Sequence, residues 1–310
     1  MALLGSILLN NIIPLCIMII IGVVLQRIFE LDIRTLSKLN FYLFSPAVIF
    51  KLLYTTDIPV ALIGQVLLFF GVFMALQYAL LELVVRLRGY EGGMRAAMRN
   101  SVLFYNSANY GIPLNQLAFA ANPFTLSIQV LVMMMQSLLP NTYGIYSVNA
   151  HKTSIAGIRR QIVSQPVIYV IPLAFALNWA AMPIPVYLST PLDYVANAFI
   201  GTALLTLGVQ LGSMKREGGL GGKRQLDLVL SLSLRLIAGP ALAALTVWML
   251  GIDGLAAKAL IVSSAVPTSL SSVLLAVEFD NEPEFSSQTV LLSTVLSIVT
   301  VTAVIALLGI

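Results

Sequence analysis

Two polar islands interrupt an otherwise apolar sequence: NSANYGIPLNQ at residues 106–116 and SSAVPTSLSS at residues 263–272. Neither holds a permanent acid or base, so their chemistry is hydrogen-bonding recognition and not bond making. Asn106, Ser107, Asn109 and Asn115 in the first, and Ser263, Ser264, Thr268, Ser269, Ser271 and Ser272 in the second, can bind a solute or satisfy freed backbone. Each island carries a proline, Pro113 or Pro267, whose missing N–H and bulky ring force a helix to kink or unwind. Gly111 permits backbone angles that other residues resist. The half-helix after each proline starts with unpaired N–H groups at its positive dipole end, which favours an anion, most simply a carboxylate. The alternative is a structural kink whose asparagines pair between helices.

The elements that must position these islands are membrane spans. Of 310 residues, 59% are hydrophobic and 10% are charged, with a mean hydropathy of +0.95. Soluble domains carry about 25% charged residues, so the chain is read as an integral membrane protein. Spanning helices are expected at 5–26, 34–54, 59–86, 95–119, 123–148, 165–181, 190–212, 227–250, 255–279 and 285–309. These runs lack the short alternating pattern of barrel strands, so the fold class is all-α. The N-terminus lacks a basic leader and a small-residue cleavage site and reads as mature sequence. Cys16 acts as a small apolar side chain, and the lone His151 offers no metal spacing.

Fourteen of 17 basic residues fall in the odd-numbered connectors or their flanks. These include Arg27, Arg86, Arg88, Arg159 and Lys215. By the positive-inside rule those connectors are cytoplasmic and both termini face outward. The excess of four positive charges therefore reports orientation, not nucleic-acid binding. Residues 1–148 and 165–310 form two five-span halves around a cytoplasmic loop at 149–164. An odd number of spans per half makes the halves inverted. A shift of 154 residues lays Pro113 on Pro267 and span 4 on span 9. Corresponding broken spans in inverted halves point to a transporter's substrate site, and the two are expected to cross at Pro113 and Pro267.

NSANYGIPL (106–114) resembles the span-4 crossover motif of the auxin efflux carrier family. SPAVIF (45–50), ANAFIGTALLTLGVQLGSMKR (196–216), LRLIAGPALAA (234–244) and LIVSSAVPTSLSSVLLAVEFD (260–280) are similar to further family stretches, in the same order. The absence of a large central hydrophilic loop is similar to bacterial members. The resemblance implies a ten-helix fold shared with bile acid/sodium symporters. Spans 1, 2, 6 and 7 would form a scaffold, and spans 3–5 and 8–10 a mobile domain. It further implies elevator-type alternating access, dimerisation through the scaffolds, and a malate- or malonate-like substrate at the cell membrane. Asn106 matches the family's substrate-contacting asparagine, and Pro113 and Pro267 match its crossover prolines. The expected site adds Ser107, Asn109, Tyr110, Gly111 and Asn115 from span 4. Ser264, Thr268 and Ser269 join from span 9, with Gln165 ahead of span 6. Two departures stand out. Plant carriers have Asn-Pro-Asn where this chain has Gln165-Pro166-Val167, and an acid–base pair in span 3 where this chain offers only Gln65.

Arg235 lies inside span 8, where a charge must be paired, wet or snorkelling; a headgroup-seeking side chain and a structural or gating role are both open. Glu82 and Arg86 read as a surface pair one turn apart. Gly208 and Gly212, with Gly201 earlier, permit close helix approach within the scaffold or across a dimer. No nucleophile–base pair or intramembrane acid pair supports an enzyme, and no phosphate-binding loop supports ATP-driven transport. The leading class is a secondary transporter of a small organic anion that needs no cofactor. A sodium-coupled carrier, or a channel or receptor, is the alternative, with coupling to protons, to sodium or to neither left open.

Overall fold

The computed structural model describes residues 13–55, 60–149, 156, 163–164, 166–213, 222–269 and 271–310. Helix α1 is Ile13–Phe29, α2 runs over 33–55, α3 is Val60–Arg88 and α4 is Gly92–Leu103. A short unwound stretch leads to α5, Ile112–Ala118; α6 runs over 123–149, α7 is Pro166–Trp179 and α8 is Val186–Ser213. The chain continues as α9 over 222–249, α10 Gly254–Ser264, α11 Ser271–Glu278 and α12 Pro283–Leu308. Among the described residues no strand is present beyond one isolated bridge between Tyr105 and Thr268. Gln165, His151, Lys215 and most of the 149–164 loop lie outside the described residues.

Among the described residues five helical stretches are long and apolar enough to cross a bilayer, from Ala61–Arg88 to Pro283–Leu307, at 25 to 28 residues each. At 1.5 Å per residue the shortest spans about 37 Å, more than a hydrocarbon core of about 30 Å. The apolar segments Cys16–Phe29, Tyr42–Thr55, Ile168–Trp179 and Gly254–Ser264 are shorter. Polarity runs inward: α12 buries Thr289, Ser293 and Ser297 while exposing Val295, Val299 and Leu307. Water would drive the opposite arrangement; a lipid exterior accepts it, because hydroxyls find partners only inside.

Helix α8 packs along α1 and α2, and α2 also packs on α7. A methyl group at Gly208 would lie 2.0 Å from the Ile19 carbonyl oxygen, and one at Gly22 2.4 Å from that of Leu205. Only glycine allows this approach of α1 and α8, and Gly212 meets Val23 and Gln26 in the same seam. The small-residue face is thus used within the chain, between α1 and α8. Gly201 takes no part, with open space around it. Asn40 of α2 reinforces the group by donating to Thr206 Oγ1 of α8 at 2.7 Å. Around this frame α3, α6, α9, α10 and α12 form a second packed group with the two broken segments.

Four π-helical turns occur among the described residues. Three of them, Asn40–Phe44, Ser107–Gly111 and Leu234–Ala238, end two residues before Pro46, Pro113 and Pro240. A proline ring presses on the carbonyl four residues back and offers it no N–H. Widening that turn by one residue moves the carbonyl aside without ending the helix. Pro113 therefore opens a π turn and does not itself break the span, as its position in the sequence suggests it would.

One end of the bundle is tied by charge. Glu82 is buried and accepts from Arg95 and from Arg99 of α4, while exposed Arg86 stays 3.8 Å away. The expected surface pair is thus a buried hub joining α3 to α4. Arg88 reaches Asp227 at 3.0 Å, Arg224 reaches Glu282 at 3.2 Å, and Asn281 donates to the Gly93 carbonyl. The connectors after α3 and α11 and the start of α9 are therefore neighbours. Tyr90, in the first of these connectors, donates to Asp227, and its phenol is pushed above its ordinary range by burial and then by that carboxylate. The opposite end is joined by Lys51 and Asp193 at 2.6 Å and by Asn178 on the Tyr54 carbonyl.

Candidate functional site

A helix leaves its last carbonyls short of partners, and at the end of α4 distant parts of the chain take them up, although the Asn100 carbonyl also keeps the Phe104 amide at 3.1 Å. The Asn100 carbonyl accepts from Ser272 Oγ at 3.0 Å, and that of Ser101 from Thr268 Oγ1 at 2.8 Å. Arg235 Nη1 donates to Val102 at 3.1 Å, and Gln136 Nε2 to Leu103 at 3.2 Å. With these carbonyls held, the chain leaves the helix at Phe104, whose backbone is extended.

The extended stretch meets its counterpart from the second polar island. Asn106 N–H donates to the Pro267 carbonyl, and Ser269 N–H to that of Phe104, both at 2.8 Å. Tyr105 and Thr268 thereby form an antiparallel bridge. Their own amides turn the other way, Tyr105 to Gln136 Oε1 of α6 at 3.3 Å and Thr268 to Ser293 Oγ of α12 at 3.2 Å. The two broken segments cross, as the paired islands lead one to expect, but at Tyr105 and Thr268. Pro267 is adjacent to the crossing. Pro113 lies eight residues beyond it, inside the helix that follows.

The polar residues of the first island differ in what they have left to offer. Asn106 is 6% exposed, and its carboxamide makes no hydrogen bond among the described residues. Its backbone is fully engaged, with its carbonyl accepting from Gly111 at 2.9 Å. Ser107 is buried, with its carbonyl taken by Gln129 Nε2 at 2.8 Å. That bond explains Gly111, where a methyl group would lie 2.5 Å from Gln129 Nε2. Asn109 is half-buried and likewise makes no hydrogen bond among the described residues. Tyr110 is buried, its hydroxyl 3.0 Å from Ser297 Oγ. Asn115 is fully buried and accepts from Thr125 at 2.9 Å, joining α5 to α6 away from the crossing.

In the second island Ser264, Pro267 and Thr268 are buried. Ser264 Oγ bonds back to Ile261, and Ser269 Oγ caps α11 by accepting from the Ser271 amide at 3.2 Å. Most hydroxyls here serve the backbone, but Ser263 Oγ in this island and Asn115 Nδ2 and Gln129 Oε1 at the first are buried without a partner among the described residues, and Asn106 and Asn109 are available beside them. The π turn Ser107–Gly111 packs against α8, so the available groups stand where the broken segments meet the frame. An open groove of about 430 Å³ near α2, α7 and α8 is lined only by apolar side chains such as Phe50, Met182 and Leu192, and offers a solute no donor.

Arg235 does not snorkel. It is 0% exposed, donates to the Val102 and Ser264 carbonyls, and lies with its guanidinium carbon 4.6 Å from the Tyr105 ring centre. Sequence reasoning also passed over Gln129 and Gln136, which brace the first break from α6. Their signal was available, since glutamines seven residues apart share one face of an apolar helix.

A family described as membrane transport protein matches residues 150–305, half of the chain. The chain belongs to this family, the auxin efflux carriers. As an auxin efflux carrier family member it is a multi-pass membrane protein of a transporter family. Its similarity to one relative extends almost end to end. An uncharacterized transporter of Methanothermobacter thermautotrophicus (strain ATCC 29096 / DSM 1053 / JCM 10044 / NBRC 100330 / Delta H) is 22% identical over 297 residues, covering 94% of this chain and 95% of its own.

Proposed function

We propose that this protein is a secondary transporter of a small organic anion, a mono- or dicarboxylate, whose site lies at the crossing of the two broken segments. The observation that carries this reading is Asn106, a residue only 6% exposed whose carboxamide makes no hydrogen bond among the described residues, beside a helical run that starts at Ser107. Hydrogen bonding from side-chain amides and first-turn N–H groups suits a carboxylate. The absence of a fixed acid or base in either island lets the ligand leave as readily as it enters. Asn109, Ser107 and Ser269 would complete the contacts.

The frame of α1, α2, α7 and α8 and the body carrying the crossing correspond to the scaffold and mobile domain of an elevator mechanism. The ten-span, twice-five inverted arrangement is supported by the reciprocal bridge. Each bridging residue sends its amide to the last helix of its own half, α6 or α12. The basic connectors gathered at one end favour a cytoplasmic face there and outward termini. The scaffold's exposed Trp179, Tyr187 and Tyr194 suit lipid or a second copy in a homodimer.

The test is uptake into proteoliposomes with a panel of radiolabelled carboxylates, malate and malonate first, under imposed sodium or proton gradients. Saturable uptake is expected, and Asn106→Ala should cut its efficiency by about tenfold to a hundredfold, the worth of a hydrogen bond to a charged group. Non-saturating flux, or unchanged saturable uptake in Asn106→Ala, would defeat the proposal.

A further inference from the structure

Two helices end at the crossing, α4 at Leu103 and α10 at Ser264. Each brings the partly negative end of its dipole and carbonyls that lack helical partners. In carriers built on discontinuous helices, such carbonyls and helix ends coordinate the coupling cation. Here they already have a cation. The guanidinium of Arg235 donates to Val102, in the last turn of α4, at 3.1 Å and to Ser264, the last residue of α10. Its face lies over Tyr105, the residue that forms the bridge.

The local fold is arranged to deliver this group. Arg235 sits in the π turn Leu234–Ala238 that Pro240 imposes. Gly239 leaves room for the head to fold back, since a methyl group there would lie 2.9 Å from Nη2. No carboxylate pairs with Arg235 among the described residues. A buried charge without an acid is costly, and two helix C-termini, two carbonyls and an aromatic face offset that cost. Both terminal nitrogens are engaged by the backbone of α4 and α10, and only Nε is left buried without a partner among the described residues.

We infer that Arg235 is a tethered cation filling the monovalent-cation site made by the ends of α4 and α10, so that sodium binds there only when the guanidinium is removed. This rests on reading the crossing as the transport site. It also deepens that reading: the negative helix ends are neutralised from within, and the solute needs to bring only its own charge.

The test uses the full-length protein in detergent, with thermal unfolding and equilibrium binding of radioactive sodium. Choline chloride at equal ionic strength is the control. Wild type is expected to melt alike in both salts and to bind no sodium saturably. Arg235→Ala should melt lower and recover saturably, by roughly 5 °C at concentrations well above Kd, with sodium or low-millimolar guanidinium but not choline. Arg235→Lys keeps the charge and should remain insensitive to sodium, which keeps the idea testable if the alanine variant cannot be purified. Sodium-specific stabilisation of wild type or of the lysine variant overturns the proposal. So does an alanine variant that no small cation restores. Malonate and malate are titrated in parallel. Their failure to stabilise wild type counts against the transport-site reading, whereas the sodium result bears on Arg235 alone.

Discussion

The break between α4 and α5 contains no proline, whereas the break between α10 and α11 holds Pro267 one residue before its bridging residue, Thr268. In the second break the chain cannot continue as a helix, because Pro267 has no N–H to extend the ladder and restricts the residue before it. The first break has no such local cause. It exists because donors from α6, α9 and the second island take the carbonyls of Ser101 to Phe104 one by one and share that of Asn100 with the Phe104 amide. Two similar-looking unwound segments therefore have different origins, one set by its own sequence and one imposed by its neighbours. The imposed break is also the one that leaves Asn106 unpaired. Its shape depends on partners outside the segment, which suits the proposed site, where a solute would be gripped and released.

The largest effect should come from Gln136→Leu. It strips partners from the Tyr105 amide and the Leu103 carbonyl together, at a cost of about 1–3 kcal/mol for each buried group. The melting temperature in detergent should fall well below wild type, and hydrogen exchange at Tyr105 should accelerate. A smaller loss than that of the second-break variant would mean that the first break does not depend on α6. In the second break, Ser293→Ala removes the acceptor for the Thr268 amide and a local bond to the Val290 carbonyl of its own helix, so a loss of about 1 kcal/mol is expected. Exchange should change at Thr268 and not at Tyr105. The smallest effect should be that of Pro113→Ala. Its π turn can tighten to an ordinary helix, the crossing eight residues earlier stays intact, and stability should move by less than about 1 kcal/mol. A large loss of folding with Pro113→Ala would mean that the first break has a local cause after all.

Much of this was legible in the residues. Apart from the start of the first, which lies outside the described residues, the expected apolar runs fall on described helices with ends that differ by up to five residues, and runs 4 and 9 are each divided into two helices. The two islands were recognisable because lipid leaves no other use for so many amides and hydroxyls. The exact crossing point was not legible. A shift of 154 residues aligned the prolines, but a proline's effect depends on what can receive its orphaned carbonyl. Near Pro113 a π turn absorbs it, and near Pro267 the chain unwinds. The π turns themselves had a signal, a proline two residues after each of three.

By itself the sequence determined that this chain is helical, that it lives in a membrane, and that two polar segments matter. Hydropathy and helical periodicity are local properties, and a bilayer enforces them on every span separately. Only the tertiary structure decided that Tyr105 meets Thr268, that Glu82 is a buried hub, and that Arg235 closes the ends of two helices. Those outcomes depend on which donor reaches which carbonyl, and the side-chain partners that hold α4's end lie 33 to 172 residues away in the chain. No local pattern records a separation of that kind, because the free energy of a buried hydrogen bond depends on geometry that exists only once the helices have packed.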